Sequence, residues 1–160
     1  MNASQLILLF ASMIILSTII ILTNRASIET QDERISARNL YHSINEAKNL
    51  FEEVKSKMFD EKLISMASIN RDSLTPASML GNDNEMYPEF DDIDDYNGFI
   101  KELSLENGQK FFLKVQVNYV NENNPDFLST TKTFYKLVSI KCIDQNQNQQ
   151  FELKQIFSIW

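Results

Sequence analysis

From Leu6 to Leu22 the chain reads LILLFASMIILSTIIIL, apolar on every face, and no charged side chain occurs between Met1 and Asn24. That run approaches the ~20 residues that cross a bilayer core as a helix. Ser12, Ser17 and Thr18 interrupt it only with small hydroxyls. Such groups bond back to helical carbonyls and so cost little in lipid. A cleaved secretory signal is the rival reading, and it needs a basic start, an apolar stretch of about 7–15 residues and a small-x-small cleavage site. Met1 to Gln5 carries no Lys or Arg, and the only weak cleavage position, after Ala26, has Asn24 where a small residue is wanted. Residues 1–24 are therefore expected to form a retained membrane helix. Arg25, Arg34 and Arg38 all follow the span, and taken alone the positive-inside rule leans towards a cytoplasmic carboxyl terminus.

Between Arg25 and Met66 there is no Gly or Pro, and the residues favour helix. Leu40, Ile44, Ala47, Phe51, Val54 and Met58 are spaced 4, 3, 4, 3 and 4 apart, one stripe of an amphipathic helix that faces a packed layer. Residues 25–67 are expected to continue the membrane helix. From Ser68 the periodicity stops and turn-formers appear, among them Ser73, Pro76, Gly81, Asn82, Asp83 and Pro88. Residues 68–108 read as an acidic variable loop region.

Alternation with period two then takes over. Phe111, Leu113, Val115, Val117 and Tyr119 share one face, as do Phe134, Val138, Ile140 and Cys142, and then Phe151, Leu153, Phe157 and Ile159. Each is a strand with one buried face. The connections Asn121–Thr131 and Gln145–Gln149 are polar and rich in Asn, as loops between antiparallel strands are. The apolar face of a sheet over residues 109–160 needs a cover, and the Leu40–Met58 stripe supplies it. The expected fold is α+β, one long amino-terminal helix on an antiparallel sheet of three or four strands.

Composition narrows the chemistry. The 160 residues are 43% hydrophobic, enough for a packed core, and carry a formal net charge of −7. Asp83, Glu85, Glu89, Asp91, Asp92, Asp94 and Asp95 alone equal that charge. The balance argues against nucleic acid as a partner, because such affinity rests on neutralising phosphates. One Cys and one His exclude an internal disulfide and an ordinary structural zinc set. Cys142 sits on an apolar strand face and His42 on the helix, with no acidic neighbour implied, so neither an enzyme nor a catalytic or cofactor-binding residue is expected. Trp160 is expected to pack against the sheet edge.

Two short strings carry a family resemblance. Phe59-Asp60 closes the amphipathic helix after Met58, and Phe90-Asp91-Asp92-Ile93-Asp94-Asp95-Tyr96-Asn97-Gly98-Phe99 follows in the loop. With the layout of apolar helix, amphipathic continuation, variable loop and sheet, they resemble the type IV pilin-like proteins. That group includes pilins, minor pilins and type II secretion pseudopilins, and the strings look most like those of MSHA-type minor pilins. The resemblance implies a pilin-like fold and a non-enzymatic, membrane-anchored structural subunit of a type IV pilus or type II secretion type assembly. The alternative is a bitopic protein whose outer domain binds an envelope partner or ligand without forming filaments. Implied partners are the lipid bilayer, other pilin-like subunits and an inner-membrane assembly platform, with the carboxyl-terminal domain outside the cytoplasmic membrane. Subunit packing would fall to Leu6, Ile7, Leu9, Phe10 and Ile14. Prepilins have a basic leader and a mature start Phe-Thr-Leu-x-Glu, whereas this chain opens Met1-Asn2-Ala3-Ser4-Gln5. Gln5 offers no charge to pair with a neighbour's amine, which points to a tip or initiating subunit, or to an anchored relative, rather than a shaft subunit.

Asp91, Asp92, Asp94 and Asp95 are a weak Ca²⁺ candidate, since that cation takes several oxygens from a loop. As an EF-hand the string fails: with Asp92 and Asp94 at positions 1 and 3, Gly98 falls one place late and Leu103 replaces the closing Glu. The simpler expectation is local, with Asp95 or Asn97 capping the turn, Tyr96 and Phe99 packing inward and Gly98 allowing a left-handed residue.

Overall fold

The computed structural model describes residues 2–61, 70–105, 108–145 and 150–159. Helix α1 runs without a break from Ala3 to Lys55, and four strands follow: β1 Ile100–Ser104, β2 Lys110–Tyr119, β3 Tyr135–Asp144 and β4 Gln150–Ser158. Short 3-10 turns lie at Arg71–Ser73, Ala77–Met79 and Asp94–Tyr96. The chain divides into two compact units, Met1–Tyr41 and His42–Trp160.

The first unit is helix alone. The Gln5 side-chain oxygen accepts the Asn2 N–H at 3.1 Å, the reach-back half of a capping box, while the Gln5 N–H donates to Asn2 O at 2.9 Å. The hydroxyls of Ser12, Ser17 and Thr18 each donate at 2.8 Å to a carbonyl three or four residues back, which satisfies them within the helix. This part of α1 is long and apolar enough to cross a membrane.

In the second unit the last turns of α1 cover an antiparallel meander of order β1-β2-β3-β4. Register sets the inner face in rows: Leu113 opposite Cys142 and Phe151, Val115 opposite Ile140 and Leu153, Tyr119 opposite Lys136 and Phe157. Ala47, Leu50, Phe51 and Val54 bury the helix side of that core. Burial of each large member is worth about 1.5–3 kcal/mol.

Two boundaries and the buried stripe of the helix differ from the sequence expectation. The helix stops at Lys55 rather than near Met66, because Ser56 turns its hydroxyl onto Glu53 O at 2.6 Å and the next backbone groups pair elsewhere. Residues 62–67 of the expected helix lie outside the described residues. Met58, expected on the helix stripe, lies beyond the helix and is 44% exposed. The stripe itself is shifted: Leu40 and Ile44 are only half-buried, while Asn39, Ser43 and Leu50 are buried. The sheet begins at Ile100, inside the expected loop, because β1 is a five-residue edge strand whose inward positions hold Lys101 and Leu103. Lys101 there lies 3.6 Å from Glu46, so the alternation that marks a strand is broken by an ion pair. Trp160 and most of the Gln145–Gln149 loop lie outside the described residues.

Candidate functional site

The two strings behind the resemblance come together at the end of α1. Met58 and Asp92 form a parallel bridge, in which the Met58 N–H donates to Asp91 O at 3.1 Å and the Ile93 N–H to Met58 O at 2.9 Å. That register sets Phe59-Asp60 beside the Asp92–Asp95 turn. Asp60, Asp92, Asp94 and Asp95 are all buried. Several unpaired carboxylates in one dry site would cost several kcal/mol each, so their partners decide whether the fold stands.

Backbone N–H groups supply most of them. Asp92 Oδ1 accepts from the Asp94 and Asp95 N–H groups at 2.8 and 3.2 Å, which winds the 3-10 turn, and Oδ2 accepts from Glu61 N–H at 2.7 Å. Asp95 Oδ2 accepts from the N–H groups of Asp91 and Asp92 at 3.0 and 3.1 Å. Asp60 accepts the Thr75 N–H at 2.9 Å and its hydroxyl at 3.3 Å. The Tyr119 hydroxyl donates to Thr75 O at 2.8 Å and lies 3.5 Å from Asp60 Oδ2.

Lys136 supplies the charge. It occupies an inward position of β3 and is fully buried. Its Nζ donates to Phe59 O at 2.5 Å, to Asp60 Oδ2 at 3.3 Å and, in direct contact, to Asp94 Oδ1. The same nitrogen stands 4.5 Å over the Phe59 ring and 5.5 Å over the Tyr119 ring, a cation–π setting strengthened by dryness. The ammonium thus joins helix end, loop and sheet.

The electrostatics follow from burial. Asp92 is pushed up to about 7, first by loss of water and then by the charge of Asp94, against the Glu61 N–H and the Lys136 ammonium. Asp94 is also raised, because burial outweighs the ammonium beside it. Tyr96 and Tyr119 are raised by burial and by Glu53 and Asp60 respectively, and so stay protonated donors.

A second layer fixes the string to the helix. The Tyr96 hydroxyl donates to Glu53 Oε1 at 2.7 Å, and the Tyr87 hydroxyl to Glu53 Oε2 at 3.3 Å. Tyr87, Phe90, Tyr96 and Phe99 form one aromatic cluster, mostly edge to face. The Asn97 amide donates to Leu80 O at 2.8 Å and accepts the Val117 N–H at 3.0 Å. Gly98 has φ +85°, the left-handed region glycine enters without strain.

The expected calcium set of Asp91, Asp92, Asp94 and Asp95 is not one ligand set. Asp92 is turned onto N–H groups and Asp94 onto Lys136, whereas Asp91 is exposed. The carboxylates that do converge are Glu85, Asp91 and Asp95, whose oxygens lie within 4.8 Å of one another. Ca²⁺ takes about 6–8 oxygens, so three carboxylates would supply only part of its shell. Glu85 Oε2 is buried without a hydrogen-bond partner, and Glu85 is raised by lost water and by the charges of Asp95 and Asp91. Glu85→Gln, which relieves that repulsion, is expected to raise the melting temperature slightly at pH 8 and less at pH 4; a lowered value at pH 8 would count against it.

Leu6, Ile7, Leu9, Phe10 and Ile14, expected from the resemblance to pack subunits, are 42–68% exposed along α1. Cys142 is buried beneath α1 near the Ser43 hydroxyl, and burial raises its thiol, whereas His42 is exposed. Sequence reasoning passed over Lys136, although its position between the inward Phe134 and Val138 was the signal. A lysine in the buried phase of a strand requires acids opposite it.

No family model matches this chain, and neither a curated protein nor a solved structure does. Fold and site define an α+β protein: a long amino-terminal helix packed on a four-stranded antiparallel sheet, with a buried lysine–aspartate junction where they meet.

Proposed function

We propose that the protein is a non-enzymatic, membrane-anchored structural subunit of the minor pilin or pseudopilin kind, serving a type IV pilus or type II secretion type assembly. One observation carries the reading. The side chains of Leu6 to Leu22 are exposed around one helix, whose carboxyl-terminal turns enter the core of the sheet domain. Such a surface needs hydrocarbon or other apolar helices to cover it. The meeting of Phe59-Asp60 with the Asp91–Gly98 string adds support, since both resemble pilin-like sequences. Lateral packing in the membrane is the mechanism, and the loops at Asn82–Asn97 and Asn121–Thr131 supply partner contacts. The sheet domain stands outside the cytoplasmic membrane, and protease added to that face of spheroplasts is expected to cut it.

Ile14→Asp tests the anchor. A central acid costs about 2.5–3.5 kcal/mol on insertion, so the full chain is expected to move from the membrane fraction to the alkaline-carbonate supernatant. Milder Leu9→Asn and Ile14→Asn variants are expected to stay in the membrane but lose co-isolation with pilin-like subunits. Full co-isolation in these variants, or unchanged activity in a chain beginning at Ile28, favours the bitopic protein that works alone.

A further inference from the structure

We propose that the protein joins Lys136 to Asp94 by an intramolecular amide bond, with Asp60 as the proton carrier. Three side chains of the required types meet in one dry site: an amine, a carboxyl in direct contact with it, and a second carboxyl 3.3 Å from the same nitrogen. Lys136 and Asp60 have no exposed side-chain surface, and Asp94 has 2%. Two carboxyls stand within reach of one ammonium, and burial raises the Asp94 carboxyl, which favours the acid form there. Phe59 and Tyr119 pack around the nitrogen and keep solvent from competing. The fold places the reacting groups at contact although 42 residues separate them in the chain, the situation in which positioning replaces activation.

The step balances without a further reactant. Lys136 gives one proton to the Asp60 carboxylate and becomes a neutral amine, the nucleophilic form. Its nitrogen attacks Cγ of the protonated Asp94 carboxyl and forms a C–N bond. The C–OH bond then breaks, and the hydroxyl leaves as water with a second proton from nitrogen, relayed by Asp60. The products are a neutral amide, one water and a protonated Asp60. An ion pair between β3 and the loop thereby becomes a covalent tie, suited to a subunit that transmits force.

The test is peptide mass mapping of the full chain, extracted in detergent, denatured and digested with trypsin. The expected product is residues 72–101 linked to residues 133–141, one water lighter than their sum and uncut after Lys136. Free residues 133–136 together with unlinked 72–101 at full mass would overturn the proposal, whatever any variant does. Asp60→Ala keeps both joined residues and is expected to abolish the linked product. A link that persists in Asp60→Ala overturns the mechanism stated here.

Discussion

Lys136→Met is expected to destabilise the sheet domain by about 3–5 kcal/mol, the usual cost of removing one partner from a buried ion pair. Methionine fills much the same volume, so lost packing contributes little. What remains is Asp94 without the ammonium it contacts and Asp60 without its lysine, still holding the Thr75 N–H and lying 3.5 Å from the Tyr119 hydroxyl. The carbonyl of Phe59 loses its donor as well. Urea unfolding of the detergent-solubilised chain, followed by tyrosine circular dichroism, measures the loss. The diagnostic comparison is the double variant Lys136→Met with Asp94→Asn, which removes the stranded charge along with its partner. It is expected to recover a substantial part of the stability, because a buried pair replaced as a unit is often near neutral. A Lys136→Met chain as stable as the parent would mean that the ammonium is dispensable at this junction. The figure counts the unpaired charge alone, and an amide at Lys136 would add to the loss.

The same junction marks where the fold could be read from the chain and where it could not. The apolar alternation of Phe111 to Tyr119 is broken only at Phe112, and β2 forms over those residues with the expected face inward. Period two alone was sufficient there. In β3 the rule has a hole at Lys136, whose inward place is set by register with Tyr119 and Phe157 rather than by hydropathy. Its partners lie 76 and 42 residues away, a separation no local window covers. β1 was missed because Ile100 and Glu102 face out while Lys101 faces in, against the sense of an amphipathic strand. The helix end was misplaced for another reason. Helix propensity persists after Lys55, but hydrogen bonds from Met58 and to Met58 are made with the Asp91–Ile93 segment, and tertiary pairing overrides propensity. The acidic string is legible in part: Tyr96 is buried, Asp95 caps the turn and Gly98 is left-handed, whereas the Asn97 side chain instead ties the string to Leu80 and Val117. What that reading lacked was Asp60 and Lys136, which turn a surface-like run of acids into a buried junction.

Stability of the sheet domain is expected to fall as pH rises from about 4 to about 7 and then to level off. Asp92 carries the effect. Its folded-state pKa is raised to about 7, against about 3.9 in an unfolded chain. Between those values the folded protein holds a proton that the unfolded chain has released, so folding is favoured at the acid end and loses that advantage as pH climbs. The groups facing Asp92 decide the sign. Burial and the charges of Asp94 and Asp95 favour the acid, while the Glu61 N–H and Lys136 favour the anion. Glu85 is raised as well and acts in the same direction, as does Asp94 in any chain where its carboxyl is not joined to Lys136, whereas Glu102, lowered by Lys110 on the surface, opposes them weakly. Three pH units correspond to a ceiling of about 4 kcal/mol. Urea midpoints at pH 4.5, 6, 7.5 and 8.5 measure the slope. Asp92→Asn is expected to flatten it, although the new amide group meets the Glu61 N–H and lowers stability at every pH. A parent protein that grows more stable between pH 4.5 and pH 7 would show that the three N–H bonds to Asp92 outweigh its burial and hold it ionised.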